Sequence, residues 1–231
     1  MREIRPDEIP TNLTSDDAVV IRVPDSSRLL LVFTGFARRV GITLQDAYAY
    51  FARYRINVVI LADDSQAIYL HGIKSLGDSF GRTLDGLRGL MNDWRIHELM
   101  TFGSSAGGYG AMLYGTHLGA RRVLSIAGPG NLDPAFDRRV HSFSRVELLR
   151  EIEKTTSLDL TQIIPTFANP PRIDCYYALD CAEDAAQARH LASLRNVVLH
   201  PIDKGGHSVI TFLHRDGLLQ AIFDETLLPA N

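Results

Sequence analysis

The sequence predicts a doubly wound α/β fold built on a mostly parallel sheet. Three observations carry that expectation. Short apolar runs alternate with helical patterns along most of the chain. The run "INVVILA" (56–62) is apolar almost without a break, which suits a parallel strand covered by helices on both faces. A glycine-rich turn joins another run, "ELMTF" (98–102), directly to a helical pattern.

The elements follow in order. "AVVIRV" (18–23) and "LLLVFT" (29–34) flank the turn-like cluster "PDSSR" and predict an antiparallel N-terminal hairpin. "TLQDAYAYFARYR" (43–55) sets Tyr48, Phe51 and Ala52 at helical spacing, and Thr43 with Asp46 forms a capping pair at its start. Strand 56–62 comes next. Leu84, Leu87, Leu90 and Met91 share one side of a helix within 75–94, although Gly86 and Gly89 weaken it. Strand 98–102 leads through the glycine turn into a helix that runs to about His117. Strands are expected at 121–128, 172–178 and 196–202, and helices at 182–194 and 208–223.

A single domain over 1–231 accommodates all of this. The 44 residues between Ala127 and Arg172 break the rhythm, since plain loops run to roughly 2–6 residues. "DLTQIIPTF" supplies a crossover helix there. The surplus, 128–157, predicts a small cap insertion over a site, in which Phe136, Phe143, Val146 and Leu148 sit beside Arg138, Arg139 and Arg145.

Composition bounds the function. The chain has 231 residues, of which 45% are apolar and 22% charged, enough to bury a large core unaided. A net charge of −3, with no run of one sign, argues against a nucleic-acid partner. The two cysteines, Cys175 and Cys181, match neither zinc nor redox spacing, and Cys175 lies in an apolar run that predicts a buried, inert thiol. The polar start has no signal-peptide core, and no stretch reaches the ~18 apolar residues of a membrane span, so a cytoplasmic compartment is expected. No cofactor and no metal are expected; in particular, no H-x-x-x-H pair occurs.

Gly103-x-Ser105-x-Gly107 carries the chemistry. It follows a strand and opens a helix, as a G-x-S-x-G nucleophile turn requires. A serine hydroxyl is a weak nucleophile and must meet a base and a carbonyl together. A sharp turn thrusts it clear of the backbone, and the flanking glycines let neighbouring chain pass close. Ser104 lacks that spacing, and neither a dinucleotide loop nor a Walker A loop can be drawn here. Ala106 N–H, at the helix start, is a candidate oxyanion donor. Among the eight histidines His207 stands out: it lies in "DKGGHSVI", past the last strand, where two glycines free its loop. For the orienting carboxylate Asp180 ranks first, directly off a strand end, with Asp184 second and Asp133 third. Tyr69 and His71, in "DDSQAIYLHG", and Phe136 are candidate substrate contacts.

With these parts assembled, the sequence resembles the α/β-hydrolase superfamily from residue 18 to the last helix, on "FGSSAGG", "ALDCAEDAAQARHL" and "GGHS". The resemblance implies a serine hydrolase acting on a carboxylic ester or thioester of a small substrate, with a Ser105–His207–Asp180 triad. The family's G-x-x-D turn reads Tyr177-Ala178-Leu179-Asp180 here, without the glycine. The family's second oxyanion donor comes from the turn after an early strand, where "VFTGFA" offers Phe36 N–H first and Ala37 next, with Thr34 in place of the family's histidine. Those two departures leave a non-catalytic binding or accessory protein as an alternative reading, and an acyltransferase, in which an alcohol replaces water, is a third.

Overall fold

The computed structural model describes residues 1–133, 135, 136, 149, 151, 152 and 157–228. Among the described residues eight strands form one sheet: β1 (Arg2–Glu3), β2 (Ala18–Ile21), β3 (Arg28–Phe33), β4 (Asn57–Leu61), β5 (Glu98–Ser104), β6 (Arg122–Ile126), β7 (Arg172–Ala178) and β8 (Val197–Ile202). Their order is β1-β2-β4-β3-β5-β6-β7-β8. From β4 to β8 every neighbouring pair is parallel. Among these described strands the one antiparallel junction lies between β2 and β4.

That junction corrects the expected hairpin. β2 and β3 are consecutive in sequence but not paired, because β4 inserts between them. Both runs are apolar on both faces, so hydrophobic pattern alone did not fix which neighbour β2 would take.

β3 shows how the chain builds two cores from one strand. Leu29, Leu31 and Phe33 enter the cluster on one face, while Leu30 and Val32 enter the other. Side chains alternate along a strand, so only an unbroken apolar run can feed both. α2 (Phe80–Asp93), α3 (Ala106–Leu118), α4 (Leu160–Ile163) and α5 (Ala182–Leu191) cover the first face. α1 (Leu44–Phe51), α6 (Val209–Arg215) and α7 (Leu219–Leu227) cover the second. The chain steps one way from β3 to β4 and back the other way from β4 to β5. Crossovers of one hand therefore place α1 opposite α2 and α3. Such a reversal opens a crevice at the carboxyl ends of β3 and β5.

Local expectations hold in detail at α1, where Thr43 accepts from Asp46 N–H at 3.0 Å. Leu84, Leu87 and Leu90 of α2 are buried. Cys175 is buried too, and burial pushes its thiol up to about 12. The expected helix 208–223 is instead two, α6 and α7, parted at Gly217, whose φ of 71° ends the first. Most of the expected cap 128–157 lies outside the described residues, including Arg138, Arg139, Phe143, Arg145, Val146 and Leu148. Among the described residues no helix is long and apolar enough to cross a membrane.

Candidate active site

Ser105 sits between β5 and α3 with φ 56° and ψ −128°. A non-glycine residue holds such a backbone only where its surroundings over-determine it. Here they do. Ser105 N–H donates to Ile126 O at 3.0 Å, and Gly108 N–H returns to Ser105 O at 2.8 Å. A Cβ on Gly103 would lie 2.0 Å from Gly107 O, and one on Gly107 2.0 Å from Phe33 O. Both glycines are thus demanded by backbone that could not retreat. The turn aims the positive end of α3 at the space in front of Ser105.

His207 reaches that space from the far side of the sheet edge. It lies in a short turn, Gly206–Ser208, entered through Gly205 (φ 131°) and Gly206 (φ 57°). Its Nε2 is 2.8 Å from Ser105 Oγ. Its Nδ1 is 3.0 and 2.9 Å from the two oxygens of Asp184. A carboxylate only accepts, so Nδ1 carries the proton and a neutral His207 accepts from Ser105 Oγ–H at Nε2. Asp184 is buried in the first turn of α5, near that helix's positive end, and the His207 side chain is 48% exposed.

Asp180 is not behind the imidazole. Its two oxygens accept from Gly205 N–H (3.1 Å) and Gly206 N–H (2.9 Å), so it grips the loop that carries His207. This corrects the expected order of carboxylates. β7 ends at Ala178, and a residue two positions on is still outside the helix, too exposed and too near the loop backbone to face the ring. Asp184 shares the inward face of α5 with Ala188 and Leu191, at i+4 and i+7, and that apolar spacing was the available signal. Asp133 accepts from Ala135 N–H at 2.8 Å in a local turn.

Opposite His207, the turn after β3 comes up against Ser105. A Cβ on Gly35 would lie 3.8 Å from Ser105 Cβ and 3.5 Å from Ser104 O. Among the described residues neither Phe36 N–H nor Ala106 N–H has a hydrogen-bond acceptor.

No family model matches the chain, and no curated protein does. Solved structures do. The fluorophosphonate-binding serine hydrolase F of Staphylococcus aureus, with substrate bound, superposes with a TM-score of 0.65 at 13% identity, covering 96% of this chain and 98% of its own. The capsule O-acetyltransferase of Neisseria meningitidis serogroup A gives 0.66 at 14%, covering 92% and 93%. An α/β hydrolase enzyme from sediment metagenome of the Mar Chica lagoon, Morocco, gives 0.59 at 15%, covering 94% and 99%. The chain has the α/β-hydrolase fold.

Within the α/β-hydrolase fold, one of the three expected substrate contacts is excluded by burial. Tyr69 is fully buried, its hydroxyl bonded to Thr34 O at 2.7 Å and Leu61 O at 3.0 Å, so no substrate can touch it. Its apolar neighbours Ala67, Ile68 and Leu70 draw the whole segment inward, which a loop reading of the sequence passed over. His71 is exposed and, among the described residues, makes no hydrogen bond. Phe136 is exposed, with its ring centroid 4.7 Å from that of His190. His190 is itself held 2.9 Å from Asp159. Among the described residues no group of three or more His, Cys, Asp or Glu side chains converges on a metal position.

Proposed function

We propose that the protein is a serine hydrolase that cleaves a carboxylic ester or thioester of a small substrate through an acyl-serine intermediate. One observation carries the reading: Ser105 Oγ, the His207 ring and the Asp184 carboxylate form a continuous hydrogen-bonded chain at the carboxyl edge of the sheet.

The steps follow from the proton positions. Ser105 Oγ attacks the substrate carbonyl carbon as its proton passes to His207 Nε2. Negative charge moves onto the carbonyl oxygen, which faces Ala106 and Phe36 N–H. Each such donor typically contributes ~3–4 kcal/mol to the transition state. The intermediate collapses, the bond to the leaving oxygen or sulfur breaks, and that atom takes the proton from Nε2. Water then gives a proton to Nε2 and attacks the acyl carbon, and Ser105 recovers its proton as the acid departs. Asp184 holds the Nδ1 proton in place and offsets the imidazolium charge.

The likeness to an O-acetyltransferase supports a variant in which an alcohol replaces water in the second half. Both use the same acyl-serine. Labelling with a fluorophosphonate probe tests the shared step: wild type reacts at Ser105, and Ser105→Ala does not. A wild-type protein that takes no label belongs to the accessory-protein class. Among labelled outcomes, ester products formed when alcohol is added mark acyl transfer, and free acid alone marks hydrolysis. A panel of p-nitrophenyl esters and acyl thioesters of graded length reads the acyl preference.

A further inference from the structure

We propose that Tyr69 is a positioning residue for the oxyanion side of the Ser105 site, its buried hydroxyl holding the Thr34–Phe36 turn against the start of α3. The role rests on the acyl-serine reading above.

Tyr69 lies where the two walls of that site meet. Its hydroxyl donates to the carbonyls of Thr34, the first residue beyond β3, and Leu61, the last of β4. With that proton committed, Thr34 Oγ1–H donates back to the Tyr69 oxygen at 3.4 Å. The Thr34 carbonyl is also what Gly107 must clear: a Cβ there would lie 2.9 Å from it. The Thr34–Gly35 peptide is therefore fixed from below by Tyr69 and from the side by α3. The backbone continues from it through Gly35 into Phe36 N–H. If that peptide rotates, the Phe36 donor turns with it. The ring itself is seated against α3, since a Cβ on Gly110 would come within 2.7 Å of Tyr69 Cδ2.

The segment that delivers Tyr69 is strained. Gln66, Ile68 and Tyr69 all have positive φ, at 55°, 54° and 68°. For a β-branched residue such as Ile68 this conformation is an outlier. Asp63 maintains it by accepting from Ser65 N–H at 2.9 Å and from Tyr69 N–H at 2.8 Å. Tyr114 Oη–H closes it from the α3 side, donating to Tyr69 O at 3.0 Å. Three strained residues and the hydrogen bonds around them serve to present one hydroxyl to two carbonyls. Strain of this kind concentrates where geometry is needed for function. Burial also raises the Tyr69 phenol well above its ordinary value, so it stays a neutral donor across the working pH range.

The test compares wild type, Tyr69→Phe and Gly110→Ala, with turnover of p-nitrophenyl acetate counted per fluorophosphonate-titrated site. Unfolded chain then cannot pass for lost catalysis. Two inhibitors separate the states. A trifluoromethyl ketone adds Ser105 Oγ across its carbonyl, the proton going to His207 and the charge to the ketone oxygen. The matching methyl ketone binds without forming that oxyanion. For Tyr69→Phe the expected result is kcat lowered about 10- to 100-fold with KM within about twofold. The trifluoromethyl ketone should weaken by the same factor and the methyl ketone should not. A kcat per site within twofold of wild type, or equal weakening of both ketones, overturns the role. If Tyr69→Phe fails to fold, Gly110→Ala displaces the ring with its hydroxyl intact; a kcat at least about fivefold lower at unchanged KM supports the role and a wild-type kcat overturns it. A wild-type protein that takes no fluorophosphonate label and does not turn over p-nitrophenyl acetate overturns the acyl-serine reading itself, and the Tyr69 role falls with it.

Discussion

Asp184 lies buried behind the imidazole, whereas Asp180 is exposed and holds the backbone of the same loop. Asparagine at 184 can present an oxygen or an amide to Nδ1, and the wrong choice puts the proton on Nε2, where it blocks the base. Asp184→Asn is therefore expected to lower kcat about 10³- to 10⁴-fold, and to slow fluorophosphonate labelling in parallel. Asp180→Asn keeps one acceptor for the two glycine N–H groups and leaves the ring's partner untouched. Its expected loss is about tenfold or less, the size of a small displacement of His207. The ranking inverts if Asp180→Asn proves the more damaging, and Asp184 would then lose its assignment. Ser105 and His207 stand out as candidates in the sequence because their glycines have no other local use. Strand-end position ranks Asp180 first among the carboxylates, whereas the inward spacing of Asp184 with Ala188 and Leu191 is the signal that matters. The seating of α5 against the sheet decides which one turns inward.

At the scale of elements, the glycines of α2 and α3 separate into two kinds that look alike in sequence. Gly86 and Gly89 both weaken α2 by propensity, yet a Cβ on Gly86 would lie 2.6 Å from Leu76 O, while one on Gly89 meets nothing within 4 Å. Gly89→Ala is thus expected to stabilise the protein by about 0.5–1 kcal/mol, the ordinary helix preference for alanine. Gly107→Ala is expected to do the opposite. Its Cβ meets the backbone carbonyls of Phe33 and Thr34, which are fixed inside the sheet and cannot swing aside as a side-chain tip can. A cost of about 3 kcal/mol or more follows from overpacking without relief. Thermal unfolding checks both: about 2–4 °C per kcal/mol applies at this chain length. A Gly107→Ala protein that melts with wild type would mean the turn has slack that the contacts deny. The same lesson covers the strand pairing. Local pattern identifies β2 and β3 as strands, but the entry of β4 between them is a long-range event that periodicity does not encode.

Across the whole molecule, the edge of the sheet opposite the site is tied by charge. Asp174 at the start of β7 accepts from Arg122 of β6 at 2.8 Å, Arg172 of its own strand at 2.9 Å and His200 of β8 at 2.9 Å. Arg122 reaches on to Glu225 of α7 at 2.8 Å, so one carboxylate links three strands to the last helix. Burial raises the Asp174 carboxyl, but hydrogen bonds from Arg172, Arg122 and His200 outweigh it and leave the group below its ordinary value. A carboxyl depressed in the folded state binds its proton more readily when unfolded. Its stabilisation is therefore complete above the unfolded value of about 3.9 and is lost as pH falls through the lower folded value. Asp174→Asn should cost about 1.5–3 kcal/mol at pH 7, because it takes from the largely buried Arg122 one of its two carboxylates and leaves it only Glu225. Below the folded value wild type carries a neutral acid at that position too, so the two stability curves should converge. Urea unfolding of both proteins from pH 7 down to pH 3 measures the gap. A gap that stays constant through the acid limb would show that Asp174 contributes shape and not charge, and that the edge is held by packing alone.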